Sequence, residues 1–249
     1  MKTKIFLAGL LAAFVPLHVT AHQVVYTALL SGEFQSPTNA SPGAGIVKIT
    51  LDFDLFNMRV EASFANLQGT VTSAHIHAAT AAPLSGTAGI ATQTPTLEAF
   101  PTGVTSGSYD HTIDLTQASA YNPDFIAANG GTVSTASNAL FAALAQSKAY
   151  FDIHTTAFSD GEVRGFLIRP PPMITSVAIT GGAPTITFTT VDESSYRVER
   201  KDDLNEAMWT TVTDADNVVG TGDVVSVSDP DAGAASLPRR SYRVVLYFP

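Results

Sequence analysis

The chain has 249 residues, 13 basic against 22 acidic side chains, a formal charge of −9 and no cysteine. An acidic chain without a Lys/Arg cluster is a poor partner for nucleic acid or anionic lipid, because phosphate binding needs clustered cations. Without cysteine there are no disulfides, thiol nucleophiles or thiolate ligands, so any bound metal must rely on imidazole, carboxylate or backbone oxygen.

Taken in chain order, residues 1–21 read as an export signal. Lys2 and Lys4 precede the apolar run Ile5 to Val15, Pro16 breaks it, and Val19-Thr20-Ala21 offers a small-residue cleavage site. The apolar run is too short to span a bilayer. Removing it takes away two lysines and no acids, which moves the formal charge to −11 (11 basic against 22 acidic). No later stretch reads as a membrane span, so the mature chain is expected to be soluble and exported, periplasmic or extracellular.

Val24 to Leu30 reads as an opening strand. Ile49, Leu51, Phe53 and Leu55 alternate with Lys48, Thr50, Asp52 and Asp54, and after Phe56-Asn57 the alternation resumes at Met58, Val60, Ala62 and Phe64. That is a hairpin with one buried face. Residues 78–107, rich in Ala, Thr, Gly, Ser and Pro, read as long loops with room for one strand. Tyr109 to Leu115 alternates again. Asn122 caps a short helix with Pro123 at its first position and Asn129-Gly130-Gly131 past its end. Asn138 to Gln146 carries Leu140, Phe141 and Leu144 at helical spacing. Tyr150 to His154 is a strand, Ser159-Asp160-Gly161 a turn, and Glu162 to Ile168 completes a hairpin. Pro170-Pro171-Pro172 with Met173 cannot sit in a central strand and reads as a linker over 170–173. Short alternating strands follow at Ile174–Ile179, Thr185–Thr190, Ser195–Arg200, Trp209–Thr213, Val224–Ser228 and Ser241–Tyr247. The expectation is an all-β protein of two domains, 22–169 and 174–249.

The residues that point to chemistry are histidines. His75 and His77 are two apart on a predicted strand and so share a face, with Ile76 on the other. In the run Tyr150 to His154, Phe151 and Ile153 share one face, and Tyr150, Asp152 and His154 the other. With Ile76, Phe151 and Ile153 turned inward, the three imidazoles stand together on the outside. Neutral imidazole suits copper, zinc and nickel, and divalent affinity for a nitrogen site peaks at copper. The competing reading is a set of exposed or hydrogen-bonded histidines in a binding face. Asp152 is read as a solvated strand charge, or else as an acceptor that fixes a ligand's tautomer. His111 is read as a satisfied inward or edge histidine rather than a fourth ligand, and Glu162 and Arg164 as partners in structural ion pairs, with each other or with neighbouring strands. Arg164 could otherwise steer an anion. Asp214-Ala215-Asp216-Asn217 and Asp229-Pro230-Asp231 are read as solvated turns. His22 would become the N-terminal residue after cleavage at Ala21, where amine and imidazole could together chelate copper. There is no Gly-x-Ser-x-Gly, no His-Glu-x-x-His and no phosphate-cradling glycine loop.

Several segments in order resemble the CHRD domain, the module named after chordin. They are Leu30-Ser31-Gly32 with Glu33 and Pro37, Ser73-Ala74-His75-Ile76-His77, Asn122-Pro123 with Gly130-Gly131, Tyr150-Phe151-Asp152-Ile153-His154-Thr155, and Gly161-Glu162-Val163-Arg164-Gly165. Where the family usually has Glu-x-Pro-Pro, this chain has Glu33-Phe34-Gln35-Ser36-Pro37. The resemblance implies an immunoglobulin-like β-sandwich related in shape to copper–zinc superoxide dismutase, with His75, His77 and His154 at the copper positions. This chain has no histidine between His77 and His111 for the bridging and zinc ligands, and no disulfide cysteines. The resemblance therefore carries over a copper site, but neither a zinc site nor dismutase activity. Tyr196-Arg197-Val198-Glu199-Arg200, Trp209 and Tyr242-Arg243-Val244 resemble a fibronectin-type-III-like module. The expected function is binding or handling of a single copper ion outside the cytoplasm, without turnover. Two alternatives stay open: a metal-free module that recognises an extracellular protein or polysaccharide, and a copper-dependent redox enzyme of superoxide-dismutase type.

Overall fold

The computed structural model describes residues 23–191, 194–231 and 239–247. The expected export signal and His22 lie outside the described residues. Seven strands form one antiparallel sheet: β1 (Gln23–Ser31), β2 (Ala44–Asp52), β3 (Asn57–Ala65), β4 (Val71–His77), β5 (Gly107–Asp114), β6 (Tyr150–Thr155) and β7 (Val163–Phe166). Their spatial order is β4-β6-β7-β1-β2-β3-β5. Alternation decides which face is buried. Val24, Tyr26, Ala28 and Leu30 of β1, Val47, Ile49 and Leu51 of β2, and Met58, Val60, Ala62 and Phe64 of β3 all point into one core.

Ala74, Ile76, Phe151, Ile153 and Val163 from the β4-β6-β7 end of the sheet belong to the same core, so the sheet curls over it. The join is narrow. β7 pairs β1 in register at Ser31↔Arg164, and the bridge Thr27↔Ile168 adds a second contact. A Cβ at Gly165 would fall 2.0 Å from the Leu29 carbonyl oxygen, so only glycine lets β7 lie this close to β1. Helix α1 (Pro123–Ala128) starts as expected, with Asn122 Oδ1 accepting from the Asp124 amide at 3.0 Å. Helix α2 (Val133–Ala145) starts earlier than its apolar spacing suggests. Thr132 and Thr135 cap it reciprocally, and Thr at the third position is not the usual Glu or Gln signature.

The hairpin of β2 and β3 pairs from Ala44↔Ala65 to Asp52↔Asn57. Segment 78–106, read as loop, is pinned along the outer edge of β4. Ala91 and Thr92 amides donate to the Ile76 carbonyl, Leu97 donates to Ala74, and Gly103 donates to Val71. Leu97 and Phe100 reach into the core. The exposed edge of an end strand is thereby covered.

Beyond residue 173 the chain forms β8 (Ile174–Thr180), β9 (Ala183–Thr189), β10 (Ser195–Lys201), β11 (Thr210–Thr211), β12 (Val218–Val219), β13 (Val224–Ser228) and β14 (Ser241–Tyr247). β13-β9-β8 is one sheet; β10 pairs β11, β12 and β14 in another. Ile186, Phe188, Tyr196, Val198, Val212 and Ala215 form a second apolar cluster. The expected strand at Trp209–Thr213 shortens to β11, and β12 has no alternating run to announce it. Among the described residues, no helix is long and apolar enough to cross a membrane.

Glu162 does not pair with Arg164. Burial pushes its carboxyl up, but hydrogen bonds from Ser41 Oγ, Thr155 Oγ1 and the Gln68 and Gly69 amides outweigh that and hold it below the usual range. The side chain is fully buried and ties together three separate segments. Glu162→Ala would strand the buried Gly69 amide and the partly buried Gln68 amide and is expected to cost about 3 kcal/mol. Glu162→Gln, which keeps one acceptor oxygen, should lose less. Urea midpoints at unchanged m-value are the check.

Candidate metal centre

The site is a product of pleat and register. β4 pairs β6 with Ser73↔His154, Ala74↔Ile153, His75↔Asp152, Ile76↔Phe151 and His77↔Tyr150. Ala74, Ile76, Phe151 and Ile153 are fully buried in the core. His75, His77 and His154 are therefore sent to the opposite face, together. Their ring centroids lie 5.4 to 5.9 Å apart. The alternation predicts this grouping, but the expected exposure is corrected. His75 is 3 % and His77 7 % exposed, and His154 is half-buried. Segment 78–106 accounts for part of this cover, since it contacts His75 and His77 directly, and residue 159 contacts His154.

Each ring gives one nitrogen to a backbone carbonyl. His75 Nε2 bonds Pro95 O at 2.8 Å, His77 Nδ1 bonds Ala88 O at 3.0 Å, and His154 Nδ1 bonds Ser159 O at 2.9 Å. A carbonyl only accepts, so these nitrogens carry the proton and the other nitrogen of each ring keeps its lone pair. Those other nitrogens are His75 Nδ1, His77 Nε2 and His154 Nε2, and all three are buried without a hydrogen-bond partner. One nitrogen from each ring lies within 4.8 Å of the others. Two ligands on one ion at roughly 2.0–2.1 Å can be at most about 4.2 Å apart. At 4.8 Å the widest pair must close by at least about 0.6 Å to share an ion. The donor set fits a transition metal in number, in tautomer and in the orphaned lone pairs.

Burial lowers the pKa of His75 to about 4, with the Pro95 carbonyl opposing it. His77 is likewise lowered to about 4 by burial, against the Ala88 carbonyl. His154 is lowered for the same reason. At neutral pH the first two are uncharged, the form that binds metal.

Tyr150 lies flat on His77, 4.8 Å between centroids and 4° from parallel, and the Arg164 guanidinium sits 4.7 Å over the other ring partner, Tyr150. Arg164 donates to the Phe34 and Gly86 carbonyls. Asp152 is neither a solvated charge nor bonded to a histidine. It is 2 % exposed and accepts from Gln35 Nε2 at 2.8 Å. Burial pushes its carboxyl up to about 7, against the pull of Gln35 and Arg164. A Cβ at Gly161, which has φ +117°, would fall 2.5 Å from Asp152 Oδ1 and 2.6 Å from Gln35 Nε2. Gln35 has no signal in the sequence: it stands within the segment where the usual Glu-x-Pro-Pro is lost.

The other candidates lie elsewhere. His111 is on β5, at the far end of the sheet from β4, with Glu98 at 3.7 Å and Tyr109 beside it. The acidic turns are engaged in ion pairs rather than merely solvated. Asp216 pairs with Arg197, and Asp229 and Asp231 with Arg240 and Arg200.

A model of the CHRD domain matches residues 26–167, more than half of the chain. No curated protein and no solved structure matches it.

The buried histidines make acid stability predictable. Folded His75 and His77 titrate near 4, against about 6.5 when unfolded, so the unfolded chain binds more protons between those values. Their contribution is fully present above pH 6.5 and is lost as pH falls toward 4. Asp152 acts oppositely: its folded value near 7 exceeds the unfolded value, so the folded state gains stability as pH falls through 7. Two imidazoles against one carboxyl leave a net loss of about 1.4 kcal/mol per pH unit between 6.5 and 4 for the metal-free chain. Asp152→Asn removes the opposing contribution and should steepen that loss in urea midpoints measured against pH.

Proposed function

The chain belongs to the CHRD-domain family, and on that premise we propose that it binds a single copper ion through His75, His77 and His154 and serves in metal binding or handling outside the cytoplasm. The observation that carries this reading is the set of three buried ring nitrogens with lone pairs and no partner, gathered from two adjacent strands. A buried polar atom without a partner costs about 1–3 kcal/mol, and coordination would remove that cost at three atoms together. Three neutral nitrogens and no thiolate favour copper among the divalent ions. Three ligands also leave a coordination position open, where the metal would supply Lewis acidity or redox chemistry to a small ligand. What this chain itself contributes is tautomer control by three carbonyls, exclusion of water by the covering loops, and the Tyr150–Arg164 stack that fixes His77.

CHRD domains are typically extracellular, in keeping with the export signal read over 1–21; the choice between periplasm and extracellular space does not alter the chemistry. In this reading 22–169 is the metal-binding domain, 170–173 the linker, and 174–249 a fibronectin-like spacer or docking module.

Titration of the metal-free chain with Cu(II), followed by calorimetry and electron paramagnetic resonance, is expected to show one equivalent bound with nitrogen couplings. At a hundredfold excess over Kd the ion should stabilise the fold by about 2.7 kcal/mol. The triple variant His75→Ala, His77→Ala, His154→Ala should bind at least a thousandfold more weakly. Unchanged copper binding in that variant would sink the reading and favour the metal-free recognition module.

A further inference from the structure

A second site lies on the outward face of β1, β2 and β7. A cavity of about 670 Å³ opens there, within the range of about 300–1,000 Å³ that small-molecule sites occupy. Its apolar wall is Leu29, Phe34, Ile46, Leu84, Phe166 and Ile168. Leu29 and Ile46 are directly opposed across β1 and β2 and are 67 % and 49 % exposed. The fold does not require them: the core of these strands is built from the alternate positions, Ala28, Leu30 and Val47. Clustered exposed apolar side chains of this kind mark a binding surface.

One charged side chain lines the cavity, Arg164. It is 95 % buried (5 % exposed); its hydrogen bonds go to two carbonyls, and its guanidinium lies over the face of Tyr150. Among the described residues no carboxylate stands within ion-pair distance of it. Its cross-strand neighbour Asp152 gives Oδ1 to Gln35 instead. A desolvated guanidinium without a direct ion pair is costly, and its planar fork matches a carboxylate in particular.

We propose that this groove binds a free monocarboxylate with a long apolar chain, the chain against Leu29, Ile46 and Leu84 and the carboxylate on Arg164. A single cation in an acidic chain suits one negative charge rather than a polyanion. The site is distinct from the histidine cluster and does not need a metal.

The test is calorimetry on the full chain in the presence of chelator, with decanoate below its micellar concentration, 1-decanol, decyltrimethylammonium and acetate as probes. Decanoate is expected to bind one per chain, decanol at least tenfold more weakly, and the ammonium and acetate not at all. Ile46→Asp and Leu29→Asp, both at exposed positions, should each weaken decanoate at least tenfold. Arg164→Met should abolish the preference for decanoate over decanol. Should Arg164→Met fail to fold, the two exposed variants and the decanol comparison carry the test. Absence of saturable decanoate binding, equal affinity for decanol, or indifference to Ile46→Asp would overturn the proposal. So would self-association of the chain that Leu29→Asp abolishes without any decanoate binding, which would make the groove an interface between copies. Because chelator is present throughout, failure here leaves the copper titration untouched.

Discussion

The antiparallel pairing of β4 with β6 is the constraint on which the rest depends. It places Ile76 opposite Phe151 and Ala74 opposite Ile153, and all four are sealed into the core. Strand side chains alternate with a period of two, so a slip of one residue would exchange faces, putting imidazoles into the hydrocarbon core and Ile and Phe among the backbone carbonyls that now meet the histidines. The apolar residues thus decide where the histidines stand. Core packing and site geometry are one choice, made by the same register.

Register alone brings the rings together; it does not make them ligands. That step belongs to backbone. The loop 78–106 is held against β4 by its own amides and by Leu97 and Phe100, and it thereby brings the Pro95 and Ala88 carbonyls onto His75 and His77. The turn after β6 does the same for His154 through Ser159. A carbonyl acceptor fixes the tautomer as a carboxylate would, without adding charge to the site. The cover also lowers the proton affinity of the rings, so the loops that shape the site keep it neutral.

Legibility follows from how each feature is encoded. Alternation in β1, β2, β3 and β6 is local, and the hairpins and the common face of His75, His77 and His154 follow from it. The Asn122-Pro123 helix start is local too. What escaped depends on distant backbone. Nothing about Pro95, Ala88 or Ser159 in the sequence marks a carbonyl aimed at an imidazole, and Gln35 reaches Asp152 across 117 residues of chain. Glu162 and Arg164 alternate as neighbours that could pair, but one turns to the loop amides at 68–69 and the other to Tyr150 and the carbonyls of Phe34 and Gly86. Acidic turns read as solvated because their arginine partners, Arg200 and Arg240, are remote from them or lie on another strand. α2 begins ahead of its apolar spacing because Thr135 stands where the usual signature has Glu or Gln and makes the reciprocal capping bond with Thr132.

Arg164 and the histidines raise the same energetic question. Interiors rarely leave polar atoms unpaired, since each costs about 1–3 kcal/mol and a charge costs more. Here three lone pairs are buried side by side, and Tyr150 touches both His77 and Arg164. Elsewhere the buried carboxylate Glu162 meets four donors. The same chain leaves three adjacent ring nitrogens without a hydrogen-bond partner, where a ligand would meet them. The nitrogens call for a cation and the guanidinium for an anion, and the charge of Arg164 reaches His77, where it helps keep the ring neutral.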